Sequence, residues 1–156
     1  MKPSELIRSI KEALVLNRGQ ILHMYELENY PISPERLDSI LKNRSKKNSA
    51  NATFEELGVF LDGLVSYKRG KSNTPPPQDE VLDNNSVIKK LRVALNLKEF
   101  EVGMIFELAD FKISKTAIKN IFRSPTHPKY QECDNKTLEA FLEGLNEFYY
   151  DGGELE

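Results

Sequence analysis

The chain has one cysteine, two histidines and no apolar run long enough to cross a bilayer as a helix, and each shortage removes a class of function. The single Cys133 excludes an internal disulfide and fits a reducing compartment. One Cys and two His fall short of the four ligands a structural zinc ion takes, so no metal site is expected. Neither GxGxxG nor GxxxxGK[ST] occurs, and no cofactor is expected. Residues Met1 to Glu5 lack the charged, apolar and small-residue segments of a secretory signal. The expectation is therefore a cytoplasmic protein with no membrane association.

What is present is the composition of a soluble globular protein, 39% hydrophobic and 29% charged over 156 residues. At this length a folded chain buries roughly 68 to 70% of its extended surface, enough for a sizeable core. The net charge of −2 divides unevenly. Residues 1–74 carry 12 Lys/Arg against 9 Asp/Glu, and residues 75–156 carry 10 against 15. An acidic second half argues against nucleic acid covering the whole molecule, while a local basic patch on the first half remains open.

The chain repeats itself. Residues 10–33 read IKEALVLNRGQILHMYELENYPIS and residues 91–114 read LRVALNLKEFEVGMIFELADFKIS. A shift of 81 positions, from Leu14 to Leu95, also lays Ala13 on Ala94, Leu16 on Leu97, Glu26-Leu27 on Glu107-Leu108 and Ile32-Ser33 on Ile113-Ser114. Apolar residues coincide while polar ones differ, so two cores persist beneath surfaces that have drifted.

In the first copy, Leu6, Ile7, Ile10 and Leu14 fall at helical spacing behind Ser4, a candidate N-cap. Asn17-Arg18-Gly19 breaks that helix. A second helix from about Gln20 gathers Ile21, Met24, Tyr25 and Leu27 and must end before Pro31. Ser33-Pro34 starts a third, burying Leu37, Ile40 and Leu41. Residues 43–52 are polar, basic and small and read as an exposed loop. Thr53 and Glu56 form a capping box for a fourth helix through Phe54, Leu57, Phe60, Leu61, Leu64 and Tyr67, ending at Lys68-Arg69-Gly70. Residues 72–83, with Pro75-Pro76-Pro77, favour an extended linker.

The second copy repeats the plan, with Asn84, Asn85 or Ser86 as first cap, Ser114 as third and Asp134 as fourth. Its last helix buries Leu138, Phe141, Leu142, Leu145 and Phe148. Gly63 falls on Gly144, which suggests close helix approach, because glycine inside a helix costs about 1 kcal/mol relative to alanine. The expected fold is all-α, a tandem duplication of a four-helix unit packed with internal pseudo-symmetry. The units are residues 1–72 and 85–156, joined by a Pro-rich linker over 73–84.

Candidate chemistry is thin. His127 and Cys133 share a loop, but no third orienting group accompanies them as an activated nucleophile requires. His23 reads as a helix-surface or boundary histidine, and the repeated pair Glu26 and Glu107 as a solvated face. Leu27, Ile32-Ser33, Leu37 and Ile40, echoed by Leu108, Ile113-Ser114, Ile118 and Ile121, resemble a helix-turn-helix. The turn glycine common in that motif is replaced by Pro31 and Lys112. Basic residues nearby, Lys42, Arg44, Lys46, Lys47, Lys68, Arg69 and Lys71, could neutralise phosphates.

Where KRGK closes one copy, a proline-bearing linker follows and NNSVIKKLRVALNLK opens the next, the chain resembles the YehS-like family of uncharacterised bacterial proteins. The similarity runs from about Ser4 to Tyr150 and includes Glu132-Cys133. The resemblance implies a bacterial, cytoplasmic, two-copy helical protein, and it brings no functional residue with it. The expected role is a non-enzymatic binding or adaptor module with a protein partner and scope for a homo-oligomer. The alternative is nucleic-acid binding through the basic patch of the first copy.

Overall fold

A computed structural model of the chain describes residues 2–42, 50–70 and 82–154. Most of the expected basic loop (43–49) and most of the expected linker (71–81) lie outside the described residues. The chain divides into two compact units, Met1–Glu80 and Val81–Glu156. The first contains α1 (Pro3–Leu14), α2 (Arg18–Leu27), α3 (Pro34–Leu41) and α4 (Phe54–Arg69). The second contains α5 (Asn84–Leu95), α6 (Glu99–Leu108), α7 (Lys115–Ile121) and α8 (Asn135–Glu154). The described residues are helical and contain no strand, and the unit of four helices occurs twice, as the sequence repeat requires.

In the first unit α4 packs on α1 and α2, and α3 leans on α1. In the second, α8 packs on α6 and α5, and α7 leans on α6. Ile7, Ile10, Ile21, Met24, Tyr25, Leu37, Ile40, Phe60, Leu61 and Leu64 have no exposed surface. Burying one such side chain contributes on the order of 1.5 to 3 kcal/mol before entropy is subtracted. Aromatic rings repeat in register. Tyr25 sits 5.7 Å from Tyr30 and 6.4 Å from Phe60, while Phe106 sits 5.7 Å from Phe111 and 5.6 Å from Phe141. Leu14, Leu27 and Leu41 are only half-buried, and Phe54, at the first turn of α4, faces solvent.

The paired glycines mark the tightest point of each unit. A Cβ on Gly63 would lie 2.5 Å from the Met24 carbonyl oxygen of α2, and one on Gly144 would collide with the Ile105 carbonyl of α6. No side chain fits between these backbones.

Four caps stand where local sequence places them. Ser33 accepts from the Arg36 N–H, Ser114 from Ala117, Asp134 from Thr137, and Thr53 with Glu56 forms its box. Two do not. Lys2, not Ser4, is the N-cap of α1, and Ser4 is buried, accepting from the Ala52 N–H and donating to the Ala50 carbonyl at 3.3 Å. Asp83 caps α5, accepting from the Ser86 N–H at 2.8 Å. Asn85, on the position of Ser4, is also turned inward, donating to the Ile121 and Gln131 carbonyls and accepting from the Cys133 N–H. In both units a buried polar side chain on the first helix fixes the strand of chain entering the last one, which leaves Ala52 and Cys133 buried. The expected break at Asn17-Arg18-Gly19 falls two residues earlier, at residues 15–17. Val15 takes the left-handed conformation at φ 53°, Asn17 caps α2, and Gly19 is helical.

Candidate nucleic-acid interface

The turn between the second and third helices of each unit opens a concavity at equivalent positions. The first-unit concavity, about 470 Å³, is lined by Tyr30, Pro31, Ile32, Ser33, Arg36, Glu55 and Glu56. Its second-unit counterpart, about 620 Å³, is lined by Glu107, Asp110, Phe111, Lys112, Ile113 and Ser114. The Ile-Ser floor is common to both and the walls are not.

Arg36 dominates the first concavity. Its Nε and Nη2 donate to the two oxygens of Glu56 at 2.9 and 2.8 Å, and Nη2 also donates to the Asn51 carbonyl. This fork holds the buried Glu56 carboxyl below the usual carboxylate range, with the Thr53 N–H assisting. Tyr25 Oη donates to the Glu56 carbonyl at 2.8 Å, and burial pushes that phenol up from its ordinary value. The second unit has Phe106, Ala117 and Thr137 at these positions, so the polar network belongs to the first unit alone.

The third helices differ most in charge. In the first unit the turn and α3 present Pro31, Pro34, Glu35 and Asp38, with Asp38 engaged by Arg18 at 2.6 Å. In the second the corresponding residues are Lys112, Lys115, Thr116 and Lys119, all exposed. Lys115 and Lys119 are four residues apart and share one face of α7. Among the described residues neither forms an ion pair, nor does Lys112. The loop after α7 adds Arg123, His127 and Lys129. From Phe111 to Gln131 there are five Lys/Arg and no Asp/Glu, which leaves the rest of the second half strongly acidic.

That loop is internally braced. The His127 N–H donates to the Ser124 carbonyl, the Tyr130 N–H to His127, and the Gln131 N–H to Asn120. Lys89 Nζ donates to the Arg123 carbonyl at 2.9 Å, and Arg123 Nε donates to Asn120 Oδ1 at 2.9 Å.

The residues expected from sequence are distributed differently. Lys42 follows α3 and is exposed; its carbonyl accepts from Arg8 Nη1 at 3.0 Å, so its neighbour is α1. Lys68 and Arg69 are exposed in the last turn of α4, with Lys68 Nζ 5.8 Å from the Tyr67 ring, and Tyr67 in turn bonded by Gln20 of α2. Arg44, Lys46, Lys47 and Lys71 lie outside the described residues. The cationic face of α7 escaped a reading that balanced charge over whole halves, and a window of about twenty residues would have found it.

His127 and Cys133 have different partners. His127 contacts Arg123 and Lys129, whereas Cys133 is buried, its thiol 3.7 Å from the Asp134 carbonyl. Burial pushes the thiol up to about 12, so it stays protonated and poorly nucleophilic at neutral pH. His23 is exposed, with its ring edge-on to Tyr67, and Glu26 and Glu107 both face solvent. Among the described residues no three His, Cys, Asp or Glu side chains are grouped to hold a metal ion, and no helix is long and apolar enough to cross a membrane.

Comparison with known proteins places this architecture in a family without assigning it an activity. The uncharacterized protein YehS of Escherichia coli (strain K12) is 29% identical over 147 residues, covering 93% of this chain and 94% of that one. No solved structure matches the chain. The family described as "Protein of unknown function (DUF1456)" matches twice, at residues 5–70 and 84–149, the two helical units. The chain therefore belongs to the DUF1456 family and carries its domain in duplicate.

Proposed function

We propose that the protein is a non-catalytic nucleic-acid-binding protein whose second unit sets α7 against a duplex backbone. One observation carries this reading: the exposed Lys112, Lys115 and Lys119, unpaired among the described residues, stand where the first unit has proline and aspartate. A helix with its side chains is about 10 to 12 Å across, which a major groove about 12 Å wide accepts. The segment joining α6 to α7 is six residues, Ala109 to Ser114, longer than the tight turn of a helix-turn-helix, so backbone contact is favoured over base reading.

Fluorescence anisotropy with a labelled duplex tests it. Three to five neutralised phosphates give a log–log salt slope of about −2.7 to −4.5. K115Q/K119Q should weaken binding at low salt and make the slope less negative by about 2. No binding at about 50 mM salt ends this reading, and loss of binding in K42Q/K68Q/R69Q instead moves the interface to the first unit.

A second observation favours a protein partner. Phe100 and Met104, 64% and 46% exposed, share one face of α6 where the first unit has Gly19 and His23. Comparing the proteins retained by wild type and by F100S/M104S in a cell extract tests that role, and an identical set counts against it.

A further inference from the structure

We propose that Arg123 and His127 form a seat for one phosphate oxygen in the loop after α7. The inference rests on the nucleic-acid reading for its macromolecular ligand, though not for its chemistry. It starts from a conflict of hydrogens. The Lys129 backbone N–H lies 3.0 Å from His127 Nδ1 and can only donate, so Nδ1 holds a lone pair. A neutral imidazole with a bare Nδ1 carries its proton on Nε2. Arg123 Nη1, which also only donates, lies 3.3 Å from that Nε2. Two N–H groups thus converge with no acceptor between them.

An oxyanion resolves the conflict, since one oxygen accepts from both donors. The surroundings suit such a ligand. Ser124 Oγ and Thr126 Oγ1, 3.1 Å apart and exposed, supply hydroxyls, and Lys129 is exposed in the same loop. Arg123 is held by Asn120 through Nε, and its carbonyl by Lys89, so its remaining donors are positioned before any ligand arrives. The loop directly follows α7, the helix that carries Lys115 and Lys119.

The chain has two histidines, so the exposed His23 serves as an internal control. Inorganic phosphate is titrated at fixed pH and ionic strength while histidine ring nitrogens and backbone amides are followed by NMR. The expected result is a protonated Nε2 on free His127, a saturable shift of His127, Thr126 and Lys129, and little movement of His23. H127N keeps an acceptor for the Lys129 N–H without the Nε2 donor. This variant and R123Q should each weaken phosphate binding, read at Thr126 and Lys129, by roughly tenfold. Equal, non-saturating shifts at both histidines overturn the proposal, as does an Nδ1-protonated His127.

A duplex titration separates the two ideas and the two phosphate sources. If phosphate is seated but no duplex binds, the seat stands as a site for free phosphate and the nucleic-acid reading fails. If duplex binds undiminished in H127N and R123Q while phosphate leaves His127 unmoved, the seat is refuted and the nucleic-acid reading survives.

Discussion

Three glycine-to-alanine substitutions in helices should change stability in opposite directions. Alanine is favoured over glycine inside a helix by about 1 kcal/mol, and this term is the same wherever the backbone is helical. What differs is the space around the new methyl. At Gly103 no atom lies within 4 Å of the added Cβ, so the helical term acts alone and G103A should stabilise by about 0.5 to 1 kcal/mol. At Gly63 the Cβ would lie 2.5 Å from the Met24 carbonyl oxygen and 2.9 Å from its carbon. That neighbour is backbone, and it cannot rotate away. Restoring ordinary contact means separating α2 from α4 by nearly an ångström, an overpacking cost of about 1 to 3 kcal/mol that also loosens Tyr25 against Phe60. The helical gain offsets part of it, leaving G63A destabilised by up to about 2 kcal/mol. G144A should lose more, because its Cβ would meet the Ile105 carbonyl more closely still. Urea denaturation followed by circular dichroism reads all three. If G63A or G144A gains as much stability as G103A, the backbones do not approach as described and the repeated glycines have no packing role.

Two further predictions concern the first unit. R36A strands the buried Glu56 carboxylate and should destabilise by about 2 to 3 kcal/mol, below the 3 to 5 of a fully buried pair because the Arg36 side chain is 35% exposed. R36A/E56T, which copies Ala117 and Thr137, should recover part of that loss in the same denaturation assay. Because Arg36 holds the Glu56 carboxyl low when folded, its stabilisation is complete above the ordinary value of 4.5 and fades as pH falls through the folded value. The gap between wild type and R36A should therefore narrow below about pH 4, and a constant gap refutes the ion pair. V15N should stabilise by about 0.5 to 1.5 kcal/mol: a β-branched residue at φ 53° is strained, Val15 is 79% exposed, and Asn96 holds the same conformation in the second unit. A lower denaturation midpoint for V15N would show that Val15 is not strained there.

The helical plan was legible because its signals are local or repeated. Ser33, Thr53, Ser114 and Asp134 each accept from the backbone N–H three residues on, and that spacing is visible in sequence. Ser4 and Asn85 misled because their partners lie up to 48 residues off, so a side chain suited to a cap is spent on a distant backbone instead. Arg36 and Glu56 are 20 residues apart and leave no local trace. Their one signal was that both change together in the second copy, to Ala117 and Thr137. The α7 lysines were hidden by the acidic helices that share their half of the chain.

The two copies together show which polar interactions the fold requires. Two side chains that serve the main chain keep polar counterparts although the residue changes, whereas Tyr25 and Arg36, which also reach carbonyls, have Phe106 and Ala117 in the second unit. Ser4 and Asn85 both accept the N–H entering the last helix, and Arg8 and Lys89 both donate to the carbonyl after the third. A backbone group cannot mutate away, and in these two pairs its partner is replaced in kind. Where both partners are side chains, they are free to leave or to exchange together. Arg18 and Asp38 correspond to Glu99 and Lys119, and Glu28 and Ser66 to Ala109 and Glu147. Lys112 and Lys115 belong to neither class, since among the described residues their side chains serve no carbonyl and no carboxylate, and Lys119 has changed sign without an ion pair to show for it. Three cations on one edge with no internal counterpart raise the electrostatic energy of the isolated unit, and an anion outside it lowers that energy again. The proposed duplex contact draws on these three cations of the second unit, in the half whose total charge is negative.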